Sequence, residues 1–148
     1  MKTKRGPDDT EGKRARAMGR MGRMNREEWE EYIAQTYGVD GERPWERYPT
    51  NVVFRHPNNR KWFAVLMTVL KEKLGIGEEG TLDIVNVKCD PLLQGSLRAE
   101  PGVYPAYHMN KANWVSISLD GSVKEETVKM ALDVSFDRTA PKIQKRKT

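Results

Sequence analysis

Residues 62 to 70 read WFAVLMTVL, a run in which Thr68 is the only polar residue. So many β-branched and aromatic side chains in nearly continuous sequence mark a strand from the interior of a sheet, because an edge or half-wet strand alternates polar with apolar residues. The six residues 56 to 61, HPNNRK, are rich in turn formers, and the stretch from Asn51 to His56 before them is apolar and β-branched. The two strands therefore form a hairpin whose second strand is central. The rest of the chain must supply its neighbours and a covering layer.

Asn25 followed three residues later by Glu28 has the form of a helix start, with Glu27, Glu28, Glu30 and Glu31 near the positive end of the helix dipole. A helix is expected from 26 to 37, with Trp29, Tyr32, Ile33 and Tyr37 as a core stripe, ended by Gly38, Gly41 and Pro44. Residues 71 to 81, KEKLGIGEEGT, read as a loop or an irregular strand extension, and LDIVNVK from 82 to 88 alternates as a third strand. Asp90 before Pro91 starts a short helix over 91 to 99. Gly102 and Pro105 stop regular structure, and WVSISL, 114 to 119, is a half-buried strand. Ser122 and Glu125 suggest a capping box for a last helix that carries Val128, Ala131, Leu132, Ser135 and Phe136 and ends before Pro141. The order α-β-β-β-α-β-α implies an α+β fold, an antiparallel sheet of about four or more strands with helices packed on one face. GIGEEG lacks the Lys-Ser/Thr ending and precedes a strand, so it is no phosphate-binding loop.

With 148 residues and 37% hydrophobic content, the chain can bury one core. No apolar run approaches the ~20 residues of a membrane span, and no secretory h-region follows the basic N-terminus. A cytoplasmic protein without membrane contact is expected. The single Cys89, with only His56 and His108 as imidazoles, excludes an intramolecular disulfide and a zinc-type cluster, so neither metal nor cofactor is expected.

The net charge of +5 is unevenly spread: residues 1 to 23 carry +5, residues 142 to 148 carry +4, and residues 24 to 141 carry -4. The domain is thus expected over 24 to 141, between a disordered basic arm at 1 to 23 and a disordered basic tail at 142 to 148. Such arms hold phosphates by counterion release or are simply solvated, and Met18, Met21 and Met24 leave open a misplaced start. Within the acidic domain, residues 43 to 69 stand out, with Arg43, Arg47, Arg55, Arg60 and Lys61 against Glu46.

Three stretches occur in sequence order: NRKWFA at 59 to 64, VNVKCDP at 85 to 91, and PGVYPAYHMNKANW at 101 to 114, the last leading to SLDGS at 118 to 122. On these, and most specifically on Tyr-His-Met-Asn-Lys followed after two residues by Trp, the chain resembles the MmcQ/YjbR family over about residues 25 to 139. It departs from the family pattern in a longer 71 to 81 segment and in Ala106, where glycine is common. The resemblance implies a fold similar to the CyaY-like (frataxin-like) arrangement and a double-wing DNA-binding role. Carried over, it marks Lys61, Lys88, His108, Asn110, Lys111 and Trp114 as a candidate nucleic-acid surface, and charge adds Arg55 and Arg60.

Each residue also has a plainer reading. Asn110 and Asn113 can satisfy turn backbone, Lys111 can be solvated, Trp114 can be core, and His108 can bond a turn carbonyl. Cys89 beside Asp90 could be a nucleophile but reads more simply as packing. No base, nucleophile and orienting group stand together, so a non-enzymatic module is expected. A monomer is expected, with DNA, duplex or single-stranded, as partner. The alternative is a protein- or small-ligand-interaction module whose signature loop forms a pocket.

Overall fold

The computed structural model describes residues 23 to 141. The basic arms therefore lie outside the described residues, apart from Arg23. The elements run α1 (Arg26–Tyr37), β1 (Val52–Arg55), β2 (Trp62–Leu70), a 3-10 turn (Lys71–Leu74), β3 (Thr81–Lys88), α2 (Pro91–Arg98), β4 (Val103–Pro105), β5 (Trp114–Ser118) and α3 (Glu125–Thr139). The five strands form one antiparallel sheet in the order β1-β2-β3-β5-β4. As the apolar run required, β2 is interior, paired along its length with β3 and over half of it with β1.

Two helix starts follow the sequence signals. The Asn25 side chain accepts the Glu28 N–H at 2.8 Å while Glu28 Oε1 accepts the Asn25 N–H at 3.0 Å. Asp90 accepts the Leu93 N–H at 2.8 Å with Pro91 in the first helical turn. The third start is corrected. Ser122 caps nothing: its N–H and hydroxyl both donate to Asp120 Oδ1, at 2.9 and 2.6 Å, and α3 begins at Glu125, with Lys124 at the N-cap position and no side-chain cap. An Asp two residues upstream captures the hydroxyl in a local turn, the competing bond available to any Ser in a turn. Two further corrections concern strands and loops. Val103–Pro105 pairs with Val115–Ile117 as an extra strand, so the order is α-β-β-β-α-β-β-α, and Lys71–Leu74 of the expected loop is a 3-10 turn.

All three helices cover one face of the sheet. Trp29 and Ile33 from α1, Leu97 from α2, and Val128, Ala131 and Leu132 from α3 pack with Val52, Phe54, Phe63, Leu66, Val85, Val87, Val115 and Ile117 in one buried cluster. Opposite side chains of the same strands build a smaller cluster on the open face, where Val69, Leu82 and Ile84 are joined by Met67, Leu74, Ile76, Tyr104 and Tyr107. The period-two geometry of strands makes this division, and one irregularity alters it. Phe54 faces Ala64 but Arg55 faces Trp62, leaving Phe63 as an extra residue. This β-bulge keeps Phe63 in the helix-side core and turns Trp62 onto the open face.

Candidate functional site

The signature segment lies across the open face and is held there by a buried polar network. Tyr107 N–H donates to Ser116 Oγ at 2.9 Å, the Ser116 hydroxyl donates to Asn86 Oδ1, and Asn86 Nδ2 reaches Tyr107 O at 3.4 Å and Met67 Sδ at 3.3 Å. Asn86 and Ser116 are fully buried, so these bonds are the only satisfaction available to them. Beyond Tyr107 the chain turns through His108 at φ 60°, a left-handed conformation uncommon for a residue with a Cβ. Asn110 closes the turn, its Oδ1 accepting the Ala112 N–H at 2.8 Å and its carbonyl the Asn113 N–H at 3.1 Å.

A second loop, residues 43 to 51, approaches the same face from the β1 side. Two successive turns shape it, with Tyr48 N–H bonded to Trp45 O and Asn51 N–H to Tyr48 O, each at 3.0 Å. Arg43 fixes it by donating to Pro49 O at 3.2 Å and to Glu30 of α1 at 2.8 Å. Between this loop, β2 and the signature segment lies a cleft of about 430 Å³. Its walls are aromatic: Trp45 meets Trp62 edge to face at 5.9 Å between ring centroids, Tyr48 stands at the rim, and Tyr107 and His108, whose rings lie 4.1 Å apart, form the far side. Met67 and Val69 floor it, and the polar groups bordering it include Asn51 and Lys73.

The structure separates the residues that the sequence grouped. Arg55 leaves the set of free cations, because it makes a two-pronged ion pair with Glu42 at 2.8 and 2.9 Å. Arg43 is likewise neutralised, so the excess charge of the hairpin region is smaller than its sequence suggests. Trp114 is 8% exposed and packs as a core strand residue, which removes it from stacking. Arg60 and Lys61 are exposed at the hairpin tip, and Lys111 is exposed after the signature turn. Lys88 is half-buried opposite Trp114, its backbone N–H on Ser135 Oγ at 2.9 Å. His108 borders the cleft with its ring against Tyr107 and, among the described residues, no turn carbonyl as partner, whereas Asn110 is spent on its own turn.

Reading the residues alone missed Trp45, Tyr48, Asn51, Trp62, Tyr107 and Lys73. A signal for three of them was present: PWERYP and NRKWF interleave aromatic with basic residues, the usual composition of a nucleic-acid surface.

The hairpin is not a free wing. His56, 4% exposed, places Nε2 at 2.8 Å from Thr139 Oγ1 and 3.0 Å from Phe136 O at the end of α3. Asn59 Nδ2 donates to Thr139 O at 2.9 Å, satisfying a carbonyl that the helix terminus leaves open. Burial holds the His56 pKa below its ordinary value, only partly offset by the Phe136 carbonyl. Burial also raises the pKa of Cys89, which is 1% exposed, with Asp90 adding to it, so the side chain is a thiol and not a thiolate. No group of three or more His, Cys, Asp or Glu positioned for a metal ion occurs among the described residues, and no described helix is long and apolar enough to cross a membrane.

Comparison with known proteins matches residues 34–138 to the YjbR family model. The uncharacterized protein YyaQ of Bacillus subtilis (strain 168) is 37% identical over 116 residues, covering 78% of this chain and 98% of its own. A crystal structure of a protein from Pseudomonas syringae superposes with a TM-score of 0.77 at 40% identity, over 79% of this chain and 100% of that one. Deinococcus radiodurans protein DR2400 is more distant, with a TM-score of 0.50 at 25% identity over 66% of this chain and 65% of its own. Matched over most of its folded length by family model, sequence relative and solved structure alike, the chain belongs to the YjbR family.

Proposed function

We propose that this protein is a non-enzymatic DNA-binding module of the YjbR family that works mainly through phosphate contacts at the hairpin tip and in its basic tails. The observation that carries the reading is the fastening of His56 and Asn59 to Thr139. It brings the point where the chain leaves α3, at Ala140 and Pro141, beside the tip that displays Arg60 and Lys61. The sequence continues with Lys142, Lys145, Arg146 and Lys147 and no acid. Two sources of positive charge that are far apart in sequence thus start from one place. Arg60 and Lys61 make no ion pair among the described residues, unlike Arg43 and Arg55, so their charge is available to a partner. Contacts of this kind position a duplex without reading its sequence.

Titration of the full chain with labelled duplex DNA over a series of salt concentrations tests the reading. Counterion release predicts a slope of log K against log salt near -0.9 per phosphate neutralised. Exchange of the four tail cations for Gln should flatten that slope by about three to four, and Arg60→Asn with Lys61→Gln by about two. Arg60→Asn is chosen because Arg60 sits at φ 63°, which Asn tolerates. Absence of binding at low salt, or affinity indifferent to salt, would refute it.

A further inference from the structure

We infer that the cleft between the 43 to 51 loop, β2 and the signature segment receives an unpaired base of a single-stranded nucleic acid. The inference deepens the DNA-binding reading and rests on it, adding a base site to what would otherwise be phosphate contacts alone.

The decisive residue is Asn51. It is 6% exposed, borders the cleft, and makes no side-chain hydrogen bond among the described residues. Its amide is not sealed off, because the one buried side-chain polar atom without a partner among the described residues is Arg26 Nη2; the two donors and the acceptor of Asn51 therefore open onto the cleft, whereas those of Asn86 on the same sheet face are spent within the protein. An adjacent donor and acceptor on one planar group are the complement of a base edge. The aromatic walls supply the rest of the recognition: Trp45, Trp62 and Tyr48 offer π-faces at the mouth, with His108 opposite. A base is the flat, polar-edged group that satisfies both kinds of wall at once, since an aliphatic ligand would leave Asn51 unpaired and an acidic peptide would not use the rings. The volume of about 430 Å³ is that of a small-ligand site.

Charge places the strand. Lys61 directly precedes Trp62, Arg47 lies between Trp45 and Tyr48, and Lys73 borders the cleft, none of them in an ion pair among the described residues. A phosphodiester running past the mouth would therefore meet cations on both sides of the inserted base. Bases stacked inside a duplex cannot enter a cleft of this kind without leaving their partners, so the site discriminates against paired DNA.

The test uses the full chain, with dT and mixed-sequence single strands, a duplex of equal length, and the mononucleotides dAMP and dTMP. Trp45 and Trp62 lie at the cleft whereas Trp29 and Trp114 are core residues, so intrinsic fluorescence reports occupancy. Single strands should quench that fluorescence and bind at least about tenfold more tightly than duplex at the same salt, the size of one stacking contact. Asn51→Ala and the rim variant Tyr48→Ala should each weaken single-strand binding by about five- to tenfold and leave duplex affinity unchanged. Tyr48 is 56% exposed, so its variant keeps the fold and guards against a trivial result from Asn51. Equal affinity for single strand and duplex, with both variants silent, would overturn the base site while the phosphate reading stands. Mononucleotides that bind as tightly as the strands would also overturn it, in favour of a free-nucleotide pocket. Failure of every nucleic acid to bind would remove both readings together.

Discussion

Replacing Ser116 by Ala removes a single oxygen from the middle of the sheet, yet it should be among the more damaging small changes in the domain. The Ser116 hydroxyl accepts the Tyr107 N–H and donates to Asn86 Oδ1, and both serine and asparagine are fully buried. Alanine would orphan one donor and one acceptor together. An unsatisfied buried group costs about 1–3 kcal/mol, so the pair should cost about 3 kcal/mol after partial relaxation. That is a large part of the roughly 5–15 kcal/mol that holds a domain of this size together. In urea, with m near 1–3 kcal/mol/M, the unfolding midpoint should fall by about 1–3 M. Ser118→Ala is the internal standard. It lies two residues along the same strand, is equally buried, and accepts one bond of 3.2 Å from the Asp120 N–H, so its loss should stay below about 1.5 kcal/mol. A double-mutant cycle with Asn86→Ala should show coupling of at least about 1 kcal/mol, because the two side chains share one network. Equal losses for the two serine variants, or strict additivity with Asn86→Ala, would refute the claim that this network fastens the signature segment to the sheet.

Four other outcomes follow from the structure. His56 is held neutral by burial, and its Nε2 faces the Phe136 carbonyl, which can only accept, so Nε2 carries the proton of the neutral ring. With the folded pKa below the unfolded value of about 6.5, its contribution is complete above that pH and is lost as pH falls from there through the folded value; the urea midpoint should therefore be lower at pH 5.5 than at pH 7.5 in the native protein, and the difference smaller in His56→Gln. Gly102 sits at φ 94° with its carbonyl on the Ser118 N–H, and an added Cβ would lie 2.4 Å from Ser122 Oγ, so Gly102→Ala should cost roughly 2–4 kcal/mol by thermal melting. Gly95→Ala in α2 meets nothing within 4 Å and should stabilise by up to about 1 kcal/mol. The Cys89 thiol should react with a disulfide reagent only as fast as the domain opens, and reaction at the rate of a free thiol in native buffer would contradict its burial and raised pKa.

The sequence carried most of the scaffold because local and tertiary preferences agree there. Strand alternation, the Asn25–Glu28 box and the Asp90–Pro91 pair each name their element without help from the rest of the chain. Where they failed, a neighbour decided. β4 is three residues ending in proline, and it is a strand only because β5 offers a partner. Ser122 looks like a cap until Asp120 takes its hydroxyl. Trp114 carries the family signature but lands in the buried register of β5, whereas Trp62, which reads as core in an apolar run, is turned outward by one extra residue in its strand. No residue type announces that bulge. Charge counting failed for a similar reason: Glu42 and Glu30 lie 13 residues from the arginines they neutralise and fall outside the window of residues 43 to 69, Glu42 by one position.

These misplacements gather around one region, and that bears on function. A sheet face that existed only for stability could be covered by apolar side chains in relaxed conformations. Instead the chain places His108 in a left-handed turn, uses a bulge to turn an indole out of the core, and leaves the Asn51 amide open to the cleft without a side-chain partner among the described residues. Each departs from the local optimum, and none improves the packing of the helix-side core. The signature segment unites the two roles: its backbone is bolted to Ser116 and Asn86, which makes it a fold marker, and that rigidity holds the Tyr107 and His108 rings as one wall of the cleft. In the proposed base site, a wall fixed in this way would lose little conformational entropy when a flat ligand slid against it, and the most recognisable stretch of the sequence would serve recognition by being immobile more than by supplying charge.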